Sequence, residues 1–508
     1  MKYTIRILAL ALTLFTVGSC TDLEEEIKDG FTEDFDPNNP GVGQSGSGSS
    51  DGLNAAFSRL LNGSAAHNSY FSIQEVSTDE AVITQKGGDW FDGGIWLNMH
   101  RHEWGSTHPA LNNFWNDAYG GINECNRLLD AGGLSNDKIA QLRVVRAYFY
   151  WRLMDSFGRV KIVTQPGQDA PQSSRIEVFN FIESELLAAI PDLPTGKQAY
   201  ARISNLGAHA FLSRLYLNSE VYTGIPRYAE AIASADVVIN SGIYSLTDNY
   251  ADVFSPDNED DPEHIWILPF DEVTAGGMNF AQMTLHYPSQ LTYRLAEQPW
   301  NGYSTLEEFY NSYDNADERK ANNFVVGPQF DVNGQPILDL AFDPADQDGA
   351  PVNYTPEINQ LAPSGSRQAG ARMSKFSFKQ KQRSNMDNDY ILFRYGEVLM
   401  NKAEATARLT GNWNNPTTLL LMNQIRERAG VAPYDGTNML DDSEFLAERG
   451  REMFQESPRR VDLIRFDRWG DAWWEKSQHN DDYRKLFPIP NTQILSAEGT
   501  LTQNPGYN

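Results

Sequence analysis

The stretch GGDWFDGGIWLNMHRHEW, residues 87–104, packs three tryptophans and four glycines into eighteen positions. Flat rings set beside carboxylate, amide and guanidinium groups suit a ligand with apolar C–H faces and many hydroxyls, as a sugar has. Trp90, Asp92, Trp96, Asn98 and Arg101 supply that mixture. Trp104 leads back toward the apolar-periodic ALNNFWNDAYGGI and reads as core. A second aromatic and polar stretch, HYPSQLTYRLAEQPWNGY, adds Tyr287, Trp300 and Tyr303 in chain without helical periodicity. A third, SRQAGARMSKFSFKQKQR, gathers Arg367, Arg372, Lys375, Lys379, Lys381 and Arg383 in an otherwise acidic protein. It reads first as a solvated edge, with contact to an anionic sugar or to a partner protein as the alternatives, and Arg372 as the contact for a hydroxyl or carboxylate.

Other chemistries find less support. HRHE at 100–103 lacks the i, i+4 spacing of a zinc-binding HExxH. DPADQDGAP at 343–351 resembles a calcium loop without the downstream bidentate glutamate, so a structural calcium stays open and no other cofactor is expected. Carboxylates abound, yet no spacing singles out a pair for glycoside hydrolysis, and there is no GxSxG or Cys/His constellation.

The elements that must position these residues follow from periodicity. LRVVRAYFYWRLMDSFG is apolar on most sides of a helix, and Gly158 ends it. NLGAHAFLSRLYLNS and RYAEAIASADVVINSG form a helix pair of the tetratricopeptide kind, without a strict 34-residue repeat. Helical character runs over 53–240, lapses over 245–385 where HIWILPF reads as a strand, and resumes over 388–475. There YILFRYGEVLMNKAEATARLTG, PTTLLLMNQIRERAGV, SEFLAERGREMFQES and RRVDLIRFDRWGDAWW read as helices, and Arg394, Glu397, Glu404 and Arg408 as ion pairs between them. Residues 476–508 form an extended, Pro/Asn/Gly-punctuated tail that packs on the body. The expected fold is therefore mostly α, one body over 53–508 with a loop-rich excursion and a few short strands.

The N-terminus sets the compartment. MKYTIRILALALTLFTVGSC has a basic start, an apolar run too short to span a membrane, and small residues before Cys20. It resembles a lipoprotein leader, which implies removal of residues 1–19 and lipidation of Cys20. Asp22, Glu24, Glu25 and Glu26 resemble the export tag of Bacteroidetes surface lipoproteins, and residues 20–52 read as an anchor and flexible linker. Only Cys125 then remains, so no internal disulfide forms. A net charge of −27 opposes nucleic acid and anionic membrane surfaces.

RAYFYWRLMDSFGRVKIVT, FWNDAYGGINECNRLLD, RYGEVLMNKAEATARL, MNQIRERAG, ERGREMFQESPRRVDLIRF and LFPIPNTQILSAEGTLTQNPGYN, in order, resemble the SusD/RagB family over essentially the whole chain. The resemblance implies a scaffold of tetratricopeptide-like helix pairs and a lipid-anchored protein at the outer-membrane surface. It implies a lid over a SusC-type TonB-dependent barrel, to which captured glycan is passed without catalysis. It also places ligand contacts between the early helices, around Trp90 and Trp96, and in the excursion around Trp300. A peptide-binding RagB-like protein and, more distantly, a secreted glycosidase are the alternatives.

Overall fold

The computed structural model describes residues 52–339 and 349–507. The leader, Cys20, the linker up to residue 51 and most of the 343–351 aspartate segment lie outside the described residues.

Helices build the body. Helix α1, Ile95–His100, is short and follows two left-handed glycines, Gly93 and Gly94. Helix α2, Pro109–Ala131, opens with Pro109 in its first turn and the His108 side chain accepting from the Ala110 N–H. Helix α3, Asn136–Phe157, is buried continuously from Val144 to Phe157, as its all-round apolar surface predicts. Its stop, Gly158, has φ 71°. Between the two, Gly121 of α2 lies so close to α3 that a Cβ there would come within 2.2 Å of the Phe149 ring. Helices α4 (Arg175–Ala189), α5 (Asn205–Leu217) and α6 (Tyr228–Asn240) follow. The later helices are α7 (Tyr395–Thr410), α8 (Pro416–Arg428), α9 (Asp442–Met453) and α10 (Arg459–Arg465).

Neighbours in sequence are neighbours in space: α2 packs on α3, α3 on α4, α5 on α6, and α7 on α8. Helix α7 also packs on α5 and α6, which joins the late block to the early one. No helix of the described residues is long and apolar enough to cross a membrane.

Strands are few and paired in twos among the described residues. They include β1 (Ala81–Ile83), β2 (His264–Leu268), β3 (Tyr303–Thr305), β4 (Phe324–Val325), β5 (Arg372–Met373) and β6 (Tyr390–Arg394). Strand β1 pairs antiparallel with β3, with Val82 opposite Ser304, which brings the two aromatic stretches of the sequence side by side. Strand β6 pairs with β2 and corrects the expected helix over YILFR, because every residue of both strands is buried. A run buried on both faces carries no period that separates strand from helix. The last expected helix is also shorter, since α10 ends at Arg465 and Asp467 turns left-handed at φ 56°.

A buried charge network ties these elements together. Arg394, at the end of β6, reaches Glu263 at 3.1 Å, Glu452 of α9 at 2.7 Å and Glu456 at 2.8 Å. Arg319 meets Glu448 at 2.8 Å and Glu452 at 3.1 Å. Glu397 pairs with Arg214 of α5 and Glu404 with Arg465 of α10, the interhelix role expected of them, whereas Arg408 meets Glu404 within α7 itself, four residues apart. Burial alone would push the Glu452 carboxyl up, but Arg428, Arg394 and Arg319 around it hold it far below the usual range. Removing one partner of such a pair costs about 3–5 kcal/mol, since the other charge stays buried.

The C-terminal tail lies on α2 and α3. Phe487 N–H donates to the Ser156 carbonyl at 2.8 Å and the Asn504 amide to that of Phe157 at 2.8 Å. The tail is not wholly extended, because Asn491–Ser496 forms a short helix.

Candidate functional site

After β1 the chain makes a tight turn in which Lys86 and Asp89 exchange main-chain hydrogen bonds of 2.9 and 3.1 Å. Trp90 leaves that turn at φ 60°, a left-handed conformation that is costly for a bulky residue and marks a constrained site. Its indole N–H donates to the Trp300 carbonyl at 2.7 Å. Its ring lies against Gly302, where a Cβ would come within 2.4 Å of the Trp90 Cζ2 atom. Only glycine leaves room for it. His67 and Tyr303 meet the ring edge-on, with centroids 5.1 and 6.2 Å away. The Trp300 segment is itself pinned: Trp300 N–H donates to Gln282 at 2.7 Å, and Gly302 N–H to Met283 at 2.8 Å.

Three rings from the two stretches therefore meet the solvent. Trp90 is half-buried, Trp300 is 37% exposed and Phe91 is 48% exposed. Beside them is a polar cluster. Asp89 accepts from the Tyr287 hydroxyl and, at 2.7 Å, from Arg367 Nη1, whose guanidinium lies 5.6 Å from the Tyr287 ring centre. Partial burial pushes the Asp89 carboxyl up, but the hydrogen bonds from Tyr287 and Arg367 outweigh it and hold the group below its ordinary value. Asp89 is thus an anion at neutral pH, and its side chain remains 45% exposed. Burial, reinforced by the Asp89 contact, pushes the Tyr287 phenol up, so it stays protonated and donating. Beneath the rings, burial lowers His67 to about 4, and its Nδ1 lies 2.8 Å from the Tyr303 hydroxyl.

Among the residues expected from sequence, Trp90, Tyr287 and Trp300 come together here. Asp92 is exposed and accepts from the Trp96 indole at 3.1 Å, while Asn98 is exposed on the outer face of α1. Three others are corrected. Trp96 is fully buried on the inner face of α1, with His67 and His108 at 4.8 and 5.3 Å, and has no surface to offer a ligand. Tyr303 belongs to β3, and its hydroxyl is 2.8 Å from His67 and 2.7 Å from Ser72 in the interior. Arg372 belongs to β5 and is fully buried, its guanidinium 4.5 Å over the Tyr354 ring and bonded to the Arg367 carbonyl.

The basic stretch is likewise not a solvated edge throughout. Lys375 is buried against Glu456 at 2.6 Å, Lys379 bonds Asp387 and Glu272, and Lys381 and Arg383 are exposed. Trp104 lies in the core, where its indole donates to Tyr507 at 2.8 Å.

The HRHE pair also points inward. His100 Nε2 meets the Trp474 carbonyl at 2.7 Å and His102 Nε2 the Ser77 carbonyl at 2.8 Å. Among the described residues no group of three or more His, Cys, Asp or Glu is placed to hold a metal ion.

Asp89, Phe91, Arg367 and His67 were not singled out as contacts by sequence. The first two stand inside the quoted aromatic stretch, next to Trp90, and Arg367 opens the basic cluster. His67 carries no sequence signal, because its place depends on packing against residues far along the chain.

Comparison with known proteins agrees with this architecture. Residues 57–217 match a family described as starch-binding associating with outer membrane. The starch-binding protein SusD of Bacteroides thetaiotaomicron is 25% identical over 417 residues, covering 72% of this chain and 72% of that protein. Surface glycan-binding protein A from Bacteroides fluxus superposes with a TM-score of 0.71 at 21% identity, over 90% of this chain and 98% of that one. The Bacteroides thetaiotaomicron protein of the same name, in complex with laminarihexaose, gives a TM-score of 0.70 at 21% identity, over 89% and 98%. Residues 247–507, the excursion together with helices α7 to α10, match the SusD family, and this chain belongs to it.

Proposed function

We propose that this chain is a glycan-binding surface lipoprotein without catalytic activity, anchored at the outer membrane through Cys20. It captures oligo- or polysaccharide and delivers it to a TonB-dependent transporter of the SusC type. The observation that carries this reading is the shared surface of Trp90, Phe91 and Trp300, with the Asp89–Tyr287–Arg367 cluster beside it. Rings stack on the C–H faces of sugar, and a carboxylate and a phenol exchange hydrogen bonds with hydroxyls, while the buried Arg367 guanidinium holds the carboxylate in place. The names of two relatives, one starch-binding and one in complex with laminarihexaose, support the same class of ligand.

Helix faces of the scaffold would carry the contact with the transporter. Ring stacking on an open surface gives weak binding, roughly micromolar or poorer, which suits a protein that must release what it holds. Affinity electrophoresis of the soluble chain lacking its leader and Cys20, against a broad polysaccharide panel, tests the reading. Retardation by at least one glycan supports it, and indifference to all of them rejects it.

A further inference from the structure

The loop between α10 and the C-terminal tail takes no part in the surface described above, yet it is held with unusual care. Gly470 accepts from the His479 N–H at 2.9 Å and closes the loop so tightly that a Cβ on Gly470 would lie 2.1 Å from the His479 carbonyl oxygen. Within it Trp473 and Lys476 exchange main-chain bonds of 3.3 and 2.9 Å around Glu475 at φ 58°. Lys476 is buried, donates to the Asp471 carbonyl at 2.6 Å and sits 4.0 Å over the Trp473 ring. His102 donates through Nε2 to the Ser77 carbonyl, so its Nδ1 accepts from His479 Nε2 at 2.9 Å. His102 also stacks on Trp469 at 4.2 Å.

What this rigid loop shows to solvent is the same chemistry as the first surface. Trp474 is half-buried, with Asp471, Glu475, Gln478 and Asn480 exposed around it. Glu475 is paired at 3.1 Å with Arg101, and both side chains remain more than a third exposed. Helix α1 joins the two surfaces. Trp90 and Phe91 precede its start, and Arg101 caps its end. While Trp96, Leu97, Met99 and His100 face inward, Asn98 and Arg101, three positions apart, face outward, and Asp92 is exposed just before the helix. A six-residue helix is only about 9 Å long, so one extended chain reaches along it.

We infer that Trp474, with Glu475, Arg101 and Asn98, forms a second sugar-contact platform. It engages the part of a glycan chain that runs past Trp90 and Trp300 along α1. The inference rests on the glycan-binding reading and extends it to chain length. A short oligosaccharide meets the first platform alone, whereas a longer one meets both, the second contact being made at high effective concentration. Because the loop is already locked, ordering it costs little.

The test is isothermal titration calorimetry on the soluble chain with laminarin and soluble starch, and with the disaccharide and hexasaccharide of each series. Trp474→Ala keeps the main-chain bond to His100 and the Lys476 and His479 locks, and Asn98→Ala changes only an exposed side chain. Unchanged melting temperatures confirm that both fold. For a series that binds, each substitution weakens the hexasaccharide and polymer about three- to ten-fold and leaves the disaccharide unchanged. Loss of affinity in Trp90→Ala with no effect of Trp474→Ala and Asn98→Ala at any length overturns the second platform alone. An equal loss for short and long chains overturns it as well. Failure of the unsubstituted chain to bind any member of either series overturns it for these glycans, while the broader polysaccharide panel separately decides the glycan-binding reading.

Discussion

The indole of Trp90 donates to the main-chain carbonyl of Trp300 at 2.7 Å, across 210 positions of sequence. That bond, together with the β1–β3 pairing, makes one surface from two aromatic stretches that the sequence shows only as separate candidates. The tryptophan rings are therefore aimed by main-chain geometry, and small changes beneath them should be felt at the ligand.

Gly302→Ala is the smallest such change. The new Cβ would come within 2.4 Å of a rigid ring atom, and neither partner is the free end of a flexible chain. We expect the Trp90 ring to be displaced, a stability loss of about 1–3 kcal/mol, and a fall in glycan affinity of ten-fold or more. Denaturant unfolding and calorimetric binding measure the two effects separately.

Trp96→Ala and Trp300→Ala should separate core from surface. Trp96 is fully buried, and its removal costs about 3–5 kcal/mol, seen as a large drop in melting temperature. Trp300 is 37% exposed, so its removal costs under about 1 kcal/mol of stability while weakening binding. Equal stability losses would contradict the placement of the two rings.

Asp89→Asn removes the anion on which Tyr287 and Arg367 converge. With Asp89 held below its ordinary value, the native site keeps its charge, and binding should be flat from pH 8 to pH 5. The amide variant should bind about three- to ten-fold more weakly across that whole range, because the amide oxygen still accepts but the charge that strengthened those hydrogen bonds is gone. A pH-dependent difference between the two proteins would refute an ionised Asp89.

Acid should destabilise the fold early. Burial is the largest cause of a lowered value at all eight histidines, with His67, His100, His108 and His264 each near 4. Below pH 6.5 the unfolded chain binds protons that the folded chain refuses, so stability falls as pH drops from about 6.5 toward 4. Each unit of depression is worth up to about 1.4 kcal/mol for a buried ring. Glu75, raised by burial to about 7, and Glu80, Asp117, Glu259 and Asp389, each raised chiefly by burial, act in the opposite direction, but eight rings outnumber five acids. The melting temperature should therefore decline between pH 7 and pH 5, and a rise over that interval would contradict the buried histidines. Below about pH 4.5 the arginine-held Glu404, Glu448 and Glu452 add a second loss as they protonate.

Much of this was legible in the chain. The all-round apolar α3 and its stop at Gly158, the ends at Gly411 and Gly430, and the ion pairs of Glu397 and Glu404 all follow from local patterns. What was not legible depends on phase or on distant partners. Trp90 and Trp96 look alike in sequence, yet Gly93 and Gly94 reset the backbone between them, so that Trp96 starts a helix facing inward. Lys375 looks solvated, and Arg372 free to meet a ligand, until Glu456 and Tyr354 arrive from elsewhere in the chain. Arg367, buried behind the exposed Asp89 that it holds, was separable from its basic neighbours only by the position of Asp89.

The central claim, that Trp90 and Trp300 form one glycan-binding surface, is tested most directly by the double substitution Trp90→Ala/Trp300→Ala. Affinity electrophoresis against the polysaccharide panel should show the native chain retarded by at least one glycan and the variant, folded by its melting curve, running as in a blank gel. Retardation of the variant equal to that of the native chain by the same glycan would contradict the account.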